Sequence, residues 1–388
     1  MTSIRESIRR RFEAITPIEA GIYHYQAPQE DPRNYRLHLR LEKNGEGVMI
    51  INAATILHLN QTAAEYAYYL VQGYSENDAG NAVASRYRVP FEQARQDYSD
   101  FLEQIDTLVT IPDLDPVAFL GFDRTRPYSG DLSAPYRLDC AVTYQLPPNI
   151  DPRYAPHTRA TRDLTTAEWI KILDTAWDAG IPHVIFTGGE PTLREDLLEL
   201  ITHAEKIGLV TGLLTDGVRF SERGYFDSLL QTGLDHLLFL LQPDQVAIWE
   251  GIETAAQSDI FTTVHFSITP ENQTESHAHL QKLVEIGVKS ISLSSSTEEL
   301  DDALVSAREA AAELDLALVW DTPVPYSTHN PFALEFKGRD RPPGAGHAWM
   351  YVEPDGDVLP DQEINVVLGN LLADSWESIW AAAQKTLD

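Results

Sequence analysis

The chain of 388 residues contains a single cysteine, Cys140. One cysteine excludes an intramolecular disulfide and any metal site built from several thiolates of this chain. The chain also lacks an apolar run of about 18 residues, the length expected of a membrane-spanning helix. Residues 3–12 are a short amphipathic segment without the apolar stretch of a signal peptide. We therefore expect a protein of the reducing cytoplasm with no membrane segment.

The chain has far fewer basic residues than acidic residues. The chain has 29 Lys and Arg against 59 Asp and Glu, which gives a formal net charge of −30. Such a charge opposes binding to the phosphate backbone of nucleic acids or to an anionic membrane surface. Hydrophobic residues make up 43% of the chain, enough for a sizeable core, and the length favours two or three domains.

Residues 17–110 are predicted to form a small unit of strands and helices. Residues 35–41 alternate with a period of two, residues 48–52 are mostly apolar, and Asn44-Gly45 between them is a tight-turn signal. Three helical segments follow, and residues 62–65 predict a capping box that opens the first. Two or three strands with three short helices make a unit of winged-helix size.

The run at residues 57–65, Leu-His-Leu-Asn-Gln-Thr-Ala-Ala-Glu, resembles the Leu-Asn-x-Thr-Ala signature of the PqqD-like precursor-peptide recognition family. In that family a leader peptide adds as an extra strand to an exposed sheet edge. The resemblance implies a docking edge at strand 35–41 or strand 48–52. A winged helix that only packs on its neighbour is an alternative. A DNA-reading winged helix is another, and the acidity argues against it.

Residues 111–136 are rich in Pro, Asp and Gly and predict a linker. From residue 137 to 322, strand-like runs alternate with helical ones, which is typical of a parallel βα repeat. About six units are fewer than the eight of a complete TIM barrel. We therefore expect an incomplete barrel whose ligands bind at the carboxyl ends of its strands.

Two predicted strand ends carry a recognisable pattern. Residues 187–191, Thr-Gly-Gly-Glu-Pro, resemble the S-adenosylmethionine (SAM) binding strand end of radical SAM enzymes. Residues 214–217, Leu-Thr-Asp-Gly, resemble a second stretch of that family, with Asp in place of Asn. The resemblance implies that SAM or S-adenosylhomocysteine binds at Gly188, Gly189, Glu190, Pro191, Thr215 and Asp216. Alternatively, Glu190 caps the helix that begins near Leu193.

Radical SAM enzymes hold a 4Fe-4S cluster with three cysteines of a CxxxCxxC loop, and cluster ligation needs several thiolates. In this chain Leu146, Ile150 and Arg153 fall near those cysteine positions. Cys140 lies within the preceding strand and is expected to be a small core residue. We therefore expect no 4Fe-4S cluster. A histidine metal site is not expected either, because the histidines of this region are scattered, at His157, His183, His265, His277 and His279.

The C-terminal tail contains a hairpin signal. Residues 347–360 comprise an aromatic strand, a Pro-Asp-Gly turn and a short second strand. Together with the helix that follows, this resembles the end of a SPASM domain, the auxiliary-cluster extension of peptide-modifying radical SAM enzymes. Gly346 or His347, and Asp361, stand near the positions where that family has cysteines.

The expected fold class is α/β. Its parts are an N-terminal helix at 1–16, a winged-helix PqqD-like module at 17–110, a linker at 111–136, an incomplete (β/α)6 TIM-like radical SAM barrel at 137–322, and a cysteine-less SPASM-like hairpin tail at 323–388. The sequence assigns no catalytic residue.

Three functional hypotheses follow. The leading one is a cluster-free radical-SAM-like pseudoenzyme that binds a precursor peptide, or a cysteine-complete radical SAM partner, in peptide or cofactor maturation. The rival is an enzyme that performs non-radical chemistry on SAM or a similar ligand with Glu190, Asp216 and Arg153. The third is a structural subunit.

Overall fold

The computed structural model describes residues 15–28, 30–52, 55–111, 114, 116, 132–148, 159–319, 322–324, 329–331 and 344–387. The chain divides into two compact units, Met1–Ser129 and Gly130–Asp388. Almost all of the predicted N-terminal helix, most of the predicted linker, and Ile150, Arg153 and His157 lie outside the described residues. Among the helices that are described, none is both long and apolar enough to cross a membrane.

The first unit contains a four-stranded antiparallel sheet followed by three helices. The strands, in both chain and spatial order, are β1 (Gly21–Gln26), β2 (Arg36–Leu41), β3 (Gly47–Ile51) and β4 (Thr55–Leu59). The helices are α1 (Gln61–Val71), α2 (Glu76–Tyr87) and α3 (Phe91–Thr110).

Local sequence explains these elements. Gly45 takes a φ of 91° in the β2–β3 turn, a conformation that glycine adopts without steric cost. The side chain of Asn60 accepts a hydrogen bond from the Ala63 N–H at 3.1 Å and caps α1. The predicted capping box at residues 62–65 is therefore wrong, because the helix begins at Gln61. Odd-numbered strand residues such as Leu39 and Met49 pack against the helices in one buried cluster.

The docking edge predicted for this sheet is also wrong. Strand β2 pairs with β1 and β3, and β3 pairs with β2 and β4, so neither strand 35–41 nor strand 48–52 has an open side. The edges of this sheet are β1 and β4. The alternation of residues 35–41 identified a strand but carried no information about how many neighbours that strand has.

The second unit contains a ten-stranded sheet with the spatial order β11-β10-β9-β8-β7-β6-β5-β12-β13-β14. Its strands are β5 (Arg137–Thr143), β6 (His183–Gly188), β7 (Val210–Thr215), β8 (His236–Leu240), β9 (Phe261–Ile268), β10 (Ser290–Ser295), β11 (Ala317–Leu318), β12 (Trp349–Val352), β13 (Asp357–Leu359) and β14 (Gly369–Asn370). Its helices are α4 (Thr166–Asp178), α5 (Leu197–Ile207), α6 (Tyr225–Leu230), α7 (Val246–Ala256), α8 (Ser276–Glu285), α9 (Asp301–Glu313) and α10 (Trp376–Leu387).

Strands β5 to β11 pair in parallel and in chain order, and a helix follows each of the first six. The predicted α/β fold with a parallel sheet is confirmed. A capping box opens α4, with Thr165 and Glu168 bonding each other's backbone N–H groups.

Side chains alternate between the two faces of this sheet. On β5, Leu138, Cys140 and Val142 belong to the buried cluster that includes the helices. Because neighbouring residues of a strand point to opposite faces, Asp139 and Thr143 face the interior of the curved sheet. The same parity puts inward-facing residues at odd positions of β6 and β9 and at even positions of β7, β8 and β10.

The C-terminal hairpin is part of the same sheet. Strand β12 pairs in parallel with β5 and antiparallel with β13, while β13 pairs with β14. The turn between β12 and β13 has Gly356 at φ 93°, and the Glu353 N–H donates to the Asp357 carbonyl at 2.8 Å. The predicted aromatic strand and Pro-Asp-Gly turn are therefore present as a hairpin. It extends the barrel sheet beside its first strand.

Candidate functional site

The two glycines of the Gly-Gly-Glu-Pro segment bring the end of β6 against the end of β5. The Gly189 N–H donates to the Thr143 carbonyl, and the Glu190 N–H donates to the Gln145 carbonyl, both at 2.8 Å. A Cβ on Gly188 would lie 2.1 Å from the Thr143 oxygen, and one on Gly189 would lie 2.1 Å from the Gln145 oxygen. Side chains at these positions would therefore separate the two strand ends.

Glu190 is buried, with 2% of its surface exposed, and its carboxyl group is held by internal donors. Its Oε1 accepts from the Thr192 N–H at 2.9 Å, from the Thr192 hydroxyl at 2.5 Å and from the Thr215 hydroxyl at 2.8 Å. Its Oε2 accepts from the Asp216 N–H at 2.8 Å. Glu190 thereby caps the 3-10 helix Pro191–Leu193 and ties the end of β6 to the end of β7.

Asp216 completes a pair of buried carboxyl groups. It is 7% exposed, its Oδ1 accepts from the Val218 N–H at 2.9 Å, and its side chain hydrogen-bonds that of Glu190. Burial, and secondarily the charge of Asp216, raise the pKa of Glu190 to about 8, and burial also raises the pKa of Asp216. A pair in this state shares a proton near neutral pH, or it releases that proton when a cation binds.

The structure therefore brings together the six residues that the sequence predicted as a site. Gly188 and Gly189 shape the backbone, while Thr215 and Asp216 contact Glu190 directly. Whether this constellation contacts a ligand stays a prediction. The alternative role predicted for Glu190, as a helix cap, is present, although the capped element is the 3-10 helix Pro191–Leu193.

Cys140 cannot serve this site. Its side chain is fully buried on the helix-facing side of β5, and burial raises the pKa of its thiol far above the usual value. A raised pKa disfavours the thiolate form that ligates metals. Leu146 follows β5 and offers no ligand atom in its side chain, and Ile150 and Arg153 lie outside the described residues. The donor set of this chain does not fit a 4Fe-4S cluster, which needs several thiolates.

Sequence reasoning missed a buried polar network beside this site. The Tyr144 hydroxyl donates to Oε2 of Glu353 at 2.7 Å, and Arg159 Nε donates to Oε1 of Glu353 at 2.7 Å. Arg159 also donates to the Gln362 carbonyl at 2.7 Å, and the Tyr144 and Tyr351 hydroxyls lie 3.2 Å apart. Tyr144 directly follows β5, Arg159 precedes α4, and Tyr351 and Glu353 belong to the hairpin. No local sequence signal links partners that are about two hundred residues apart in the chain.

The inward face of β9 and β10 carries a second network that the sequence did not predict. His265 is fully buried, its Nδ1 lies 3.0 Å from the Ser292 hydroxyl, and its Nε2 lies 2.9 Å from the Ser294 hydroxyl. Burial lowers the pKa of His265 to about 3, so the ring is neutral. In the described part of the chain, no group of three or more His, Cys, Asp or Glu side chains could hold a metal ion.

Comparison with known proteins identifies the central region. Residues 140–242 match the sequence model of the Radical SAM superfamily. The chain contains a Radical SAM domain. The matched residues include Cys140, the Gly-Gly-Glu-Pro segment and the Thr215–Asp216 strand end.

The chain is homologous to the PqqA peptide cyclase of Rhizobium meliloti (strain 1021), with 26% identity over 257 residues. That match covers 58% of this chain and 67% of the relative. The fold resembles that of Streptococcus suis SuiB. The crystal structure of SuiB bound to the precursor peptide SuiA has a TM-score of 0.58 and 15% identity, with 92% of this chain and 88% of that one covered. SuiB bound to S-adenosylmethionine has a TM-score of 0.60 and 17% identity, with 89% and 86% covered.

Proposed function

We propose that this chain is a cluster-free relative of peptide-modifying radical SAM proteins and that it binds a precursor peptide. The observation that carries the cluster-free assignment is its only thiol, which is fully buried on the helix-facing side of β5. The peptide assignment is supported by the homology to a peptide cyclase and by the likeness in fold to a protein crystallised with its precursor peptide. A cysteine-complete partner enzyme would then supply any radical chemistry.

The N-terminal unit is the proposed peptide-binding module, of the PqqD-like type, and the hairpin tail is the proposed remnant of a SPASM domain. A peptide can add to a sheet only along an open edge, and this sheet has two, β1 and β4. The module is proposed to bind an extended segment through main-chain hydrogen bonds at one of them.

The register of the sheet shows which groups each edge offers. The Asn52 N–H donates to the Arg36 carbonyl at 3.1 Å, so even-numbered residues of β3 bond to β2. Main-chain groups alternate sides along an antiparallel strand, so the odd-numbered residues of β3 bond to β4. Their partners on β4 are Thr55, Leu57 and Leu59. Ile56 and His58 therefore direct their N–H and C=O groups towards the open edge.

The same argument applies to β1. The Ala27 N–H donates to the Tyr35 carbonyl at 2.9 Å, so odd-numbered residues of β1 bond to β2. Ile22 therefore directs its main-chain groups outward. Ile22 and Ile56 give a matched pair of isoleucines, one on each edge, whose N–H groups are not used within the sheet.

Proline substitution tests this proposal on the full chain. Proline removes one N–H and is tolerated on the open side of an edge strand. We expect either Ile56→Pro or Ile22→Pro to weaken the binding of a synthetic peptide encoded beside the gene by at least about tenfold, the equivalent of one lost hydrogen bond of about 1.4 kcal/mol. The other variant is the control and should bind like the wild type, and circular dichroism should show that both are folded.

Two outcomes would contradict the peptide assignment. One is that the wild-type chain binds no neighbouring peptide at micromolar concentration and retains no partner enzyme in a pull-down. The other is that it binds the peptide and neither proline variant weakens binding. The second result would place the peptide elsewhere than on the sheet edges.

The carboxyl pair favours a second candidate function, the binding of an amine-bearing ligand at the strand ends. Among the described residues, neither Glu190 nor Asp216 forms an ion pair with Lys, Arg or His. An ammonium group of the ligand would replace the proton that the two carboxyl groups share. The affinity for the ligand should therefore rise between pH 6 and pH 8, as that proton is lost more easily. Calorimetry with S-adenosylhomocysteine tests this. We expect weak binding that tightens with pH and that Glu190→Gln weakens further, and no heat at either pH would exclude it.

A further inference from the structure

The interior of the barrel contains an apolar patch that is covered by the chain itself. Ile185 of β6, Leu214 of β7, and Leu238 and Leu240 of β8 form a buried cluster with a fifth residue, Val324. The four strand residues face inward by strand parity, whereas their neighbours Phe186, Leu213 and Phe239 pack in the helix-facing cluster. Val324 lies beyond β11, outside every strand of the sheet, and it is 1% exposed.

The described contacts show that the chain leaves β10, packs on β6 to β8 and returns to β10. Up to Val319 the chain follows β10, because the Val319 N–H donates to the Ile291 carbonyl at 2.8 Å. The Thr322 hydroxyl then lies 3.2 Å from the inward-facing Ser292 hydroxyl of β10. Two residues later Val324 packs in a cluster with residues of β6, β7 and β8. At His329 the chain is beside β10 again, since the His329 carbonyl accepts from the Ser295 N–H at 2.8 Å.

The described part of this excursion is residues 322–324. The Val324 N–H donates to the Thr322 carbonyl at 2.8 Å, which closes a tight turn around Pro323. Proline fixes one backbone angle in that turn. A pre-formed turn that presents one β-branched apolar side chain loses little conformational entropy when it packs.

We propose that residues 322–324 act as an internal plug that occupies the barrel interior and excludes small molecules from the apolar patch on β6 to β8. Leu214, which belongs to the same buried cluster as Val324, directly precedes Thr215 and Asp216 in the chain. A ligand carrying an apolar or aromatic group beside an amine has to displace Val324 before it can use both features. We expect the plug to act independently of peptide binding by the first unit.

Thiol protection tests whether the plug stays in place. Cys140 is fully buried, so an introduced cysteine is the only thiol expected to react in the native protein. We expect the thiol of Val324→Cys to react with a disulfide reagent at least about a hundredfold more slowly than that of Val246→Cys, because it reacts only after local opening. Val246 is 71% exposed and is the matched valine control. Equal reaction rates would overturn the proposal.

Ligand affinity tests whether the plug excludes a small molecule from the barrel interior. Val324→Ala should bind S-adenosylhomocysteine at least about tenfold more tightly than the wild type, since the ligand no longer displaces a packed side chain. Val264→Ala removes the same atoms from a fully buried valine on the helix-facing side, and it should leave ligand affinity unchanged. Equal affinities for the wild type and Val324→Ala, or no binding to either at millimolar ligand, would show that Val324 is not what closes the interior.

Peptide binding separates the failure of this inference from that of the proposed function. Val324→Ala should bind the precursor peptide as the wild type does, because the peptide edges belong to the other unit. If the plug results are negative and the peptide still binds, only the plug is wrong. If Val324→Ala lost peptide binding, the independence of the two sites would be wrong.

Discussion

Glu190 is the residue at which folding and ligand chemistry compete for the same atoms. A carboxylate has about four acceptor sites, and four donors of this chain already approach the Glu190 carboxyl group, three of them at Oε1. Of these four donors, only the Asp216 N–H approaches Oε2, the oxygen on the side of Asp216. A ligand amine would therefore meet both carboxyl groups together. The carboxyl group of Asp216 is present because this chain has Asp where the radical SAM pattern that it resembles has Asn.

The carboxyl pair makes stability depend on pH. The pKa of Glu190 is about 8 in the folded state, whereas an unperturbed glutamate of the unfolded chain has a pKa of 4.5. The folded state therefore binds more protons between these values, so its contribution to stability is complete below about pH 4.5 and is lost as pH rises through about 8. Asp216→Asn removes one cause of the raised Glu190 pKa. The decrease of stability with rising pH should therefore be smaller in this variant.

The measurement is the free energy of unfolding in urea between pH 5.5 and 8.5. Each pKa unit by which Asp216→Asn lowers the Glu190 value should recover about 1.4 kcal/mol at the alkaline end. Asp227→Asn, at an exposed position of α6, is the control and should follow the wild-type profile. Identical pH profiles for Asp216→Asn and wild type would mean that the two carboxyl groups are not coupled.

At the residue scale, the sequence predicted which residues meet but not the close backbone approach that the two glycines allow. The carboxyl ends of neighbouring parallel strands lie side by side, so Gly188 to Pro191 and Thr215 to Asp216 were expected together. The two glycines leave room for the Thr143 and Gln145 carbonyls. This close approach depends on how β5 packs beside β6. No pattern within either segment reports that distance.

At the scale of elements, one carboxylate joins both ends of the loop that follows β5. Glu353 accepts from Tyr144 just before that loop and from Arg159 just after it, and it is 2% exposed. The Leu164 N–H adds a bond to the Pro354 carbonyl at 2.8 Å, and the Thr143 hydroxyl bonds Asp163 at 2.6 Å. These contacts thus fix both ends of the loop that follows β5. In the radical SAM pattern that this chain resembles, that loop carries the cluster cysteines.

Removing the charge of Glu353 should loosen this attachment. Glu353→Gln keeps the size of the side chain but leaves Arg159 without its anion, and loss of one partner of a largely buried pair costs on the order of 2–4 kcal/mol. Urea unfolding measures the loss. Glu377→Gln, at an exposed site in α10, should cost less than about 0.5 kcal/mol.

The double variant Glu353→Gln with Arg159→Gln decides whether the two residues act together. If they do, the double variant should lose clearly less stability than the sum of the two single losses. Strict additivity would mean that the ion pair contributes nothing and that Glu353 matters only through Tyr144.

Helices and strands were predicted well where their hydrophobic periodicity is simple. They were predicted poorly where neighbouring strands determine the role of an element. The strands from β5 to β10 are apolar runs at regular spacing, each followed by an amphipathic helix, and the structure has them. Strand β1, with the sequence Gly-Ile-Tyr-His-Tyr-Gln, was not predicted, and β4 was recognised only as part of a family signature. Without β1 and β4, β2 and β3 were mistaken for edges. An edge is a property of the assembled sheet rather than of a strand.

At the scale of the whole molecule, strand pairing connects the C-terminal hairpin to the first strand of the parallel sheet. The parallel sheet continues through β5 into the C-terminal hairpin, where Trp349 pairs with Arg137 and Val352 pairs with Cys140 along β12. Asp361, near an expected cysteine position, accepts a hydrogen bond from the Trp349 indole at 2.7 Å. Because Asp361 has a protein partner in Trp349 and the one thiol of the chain is buried, we expect folding of this chain to be independent of iron.

We therefore expect the purified chain to contain about zero iron after anaerobic reconstitution with iron and sulfide, where a 4Fe-4S protein would hold about four atoms. Its melting temperature should not change with a chelator, because metal binding stabilises a fold only when the folded state provides ligands for it. The matched variant replaces Leu146, Ile150 and Arg153 with cysteine and restores the CxxxCxxC spacing. If that variant gains iron and absorbance near 400 nm while the wild type does not, the missing thiolates alone account for the difference. Stoichiometric iron in the wild type would contradict the cluster-free assignment, because one buried thiol cannot supply the ligands.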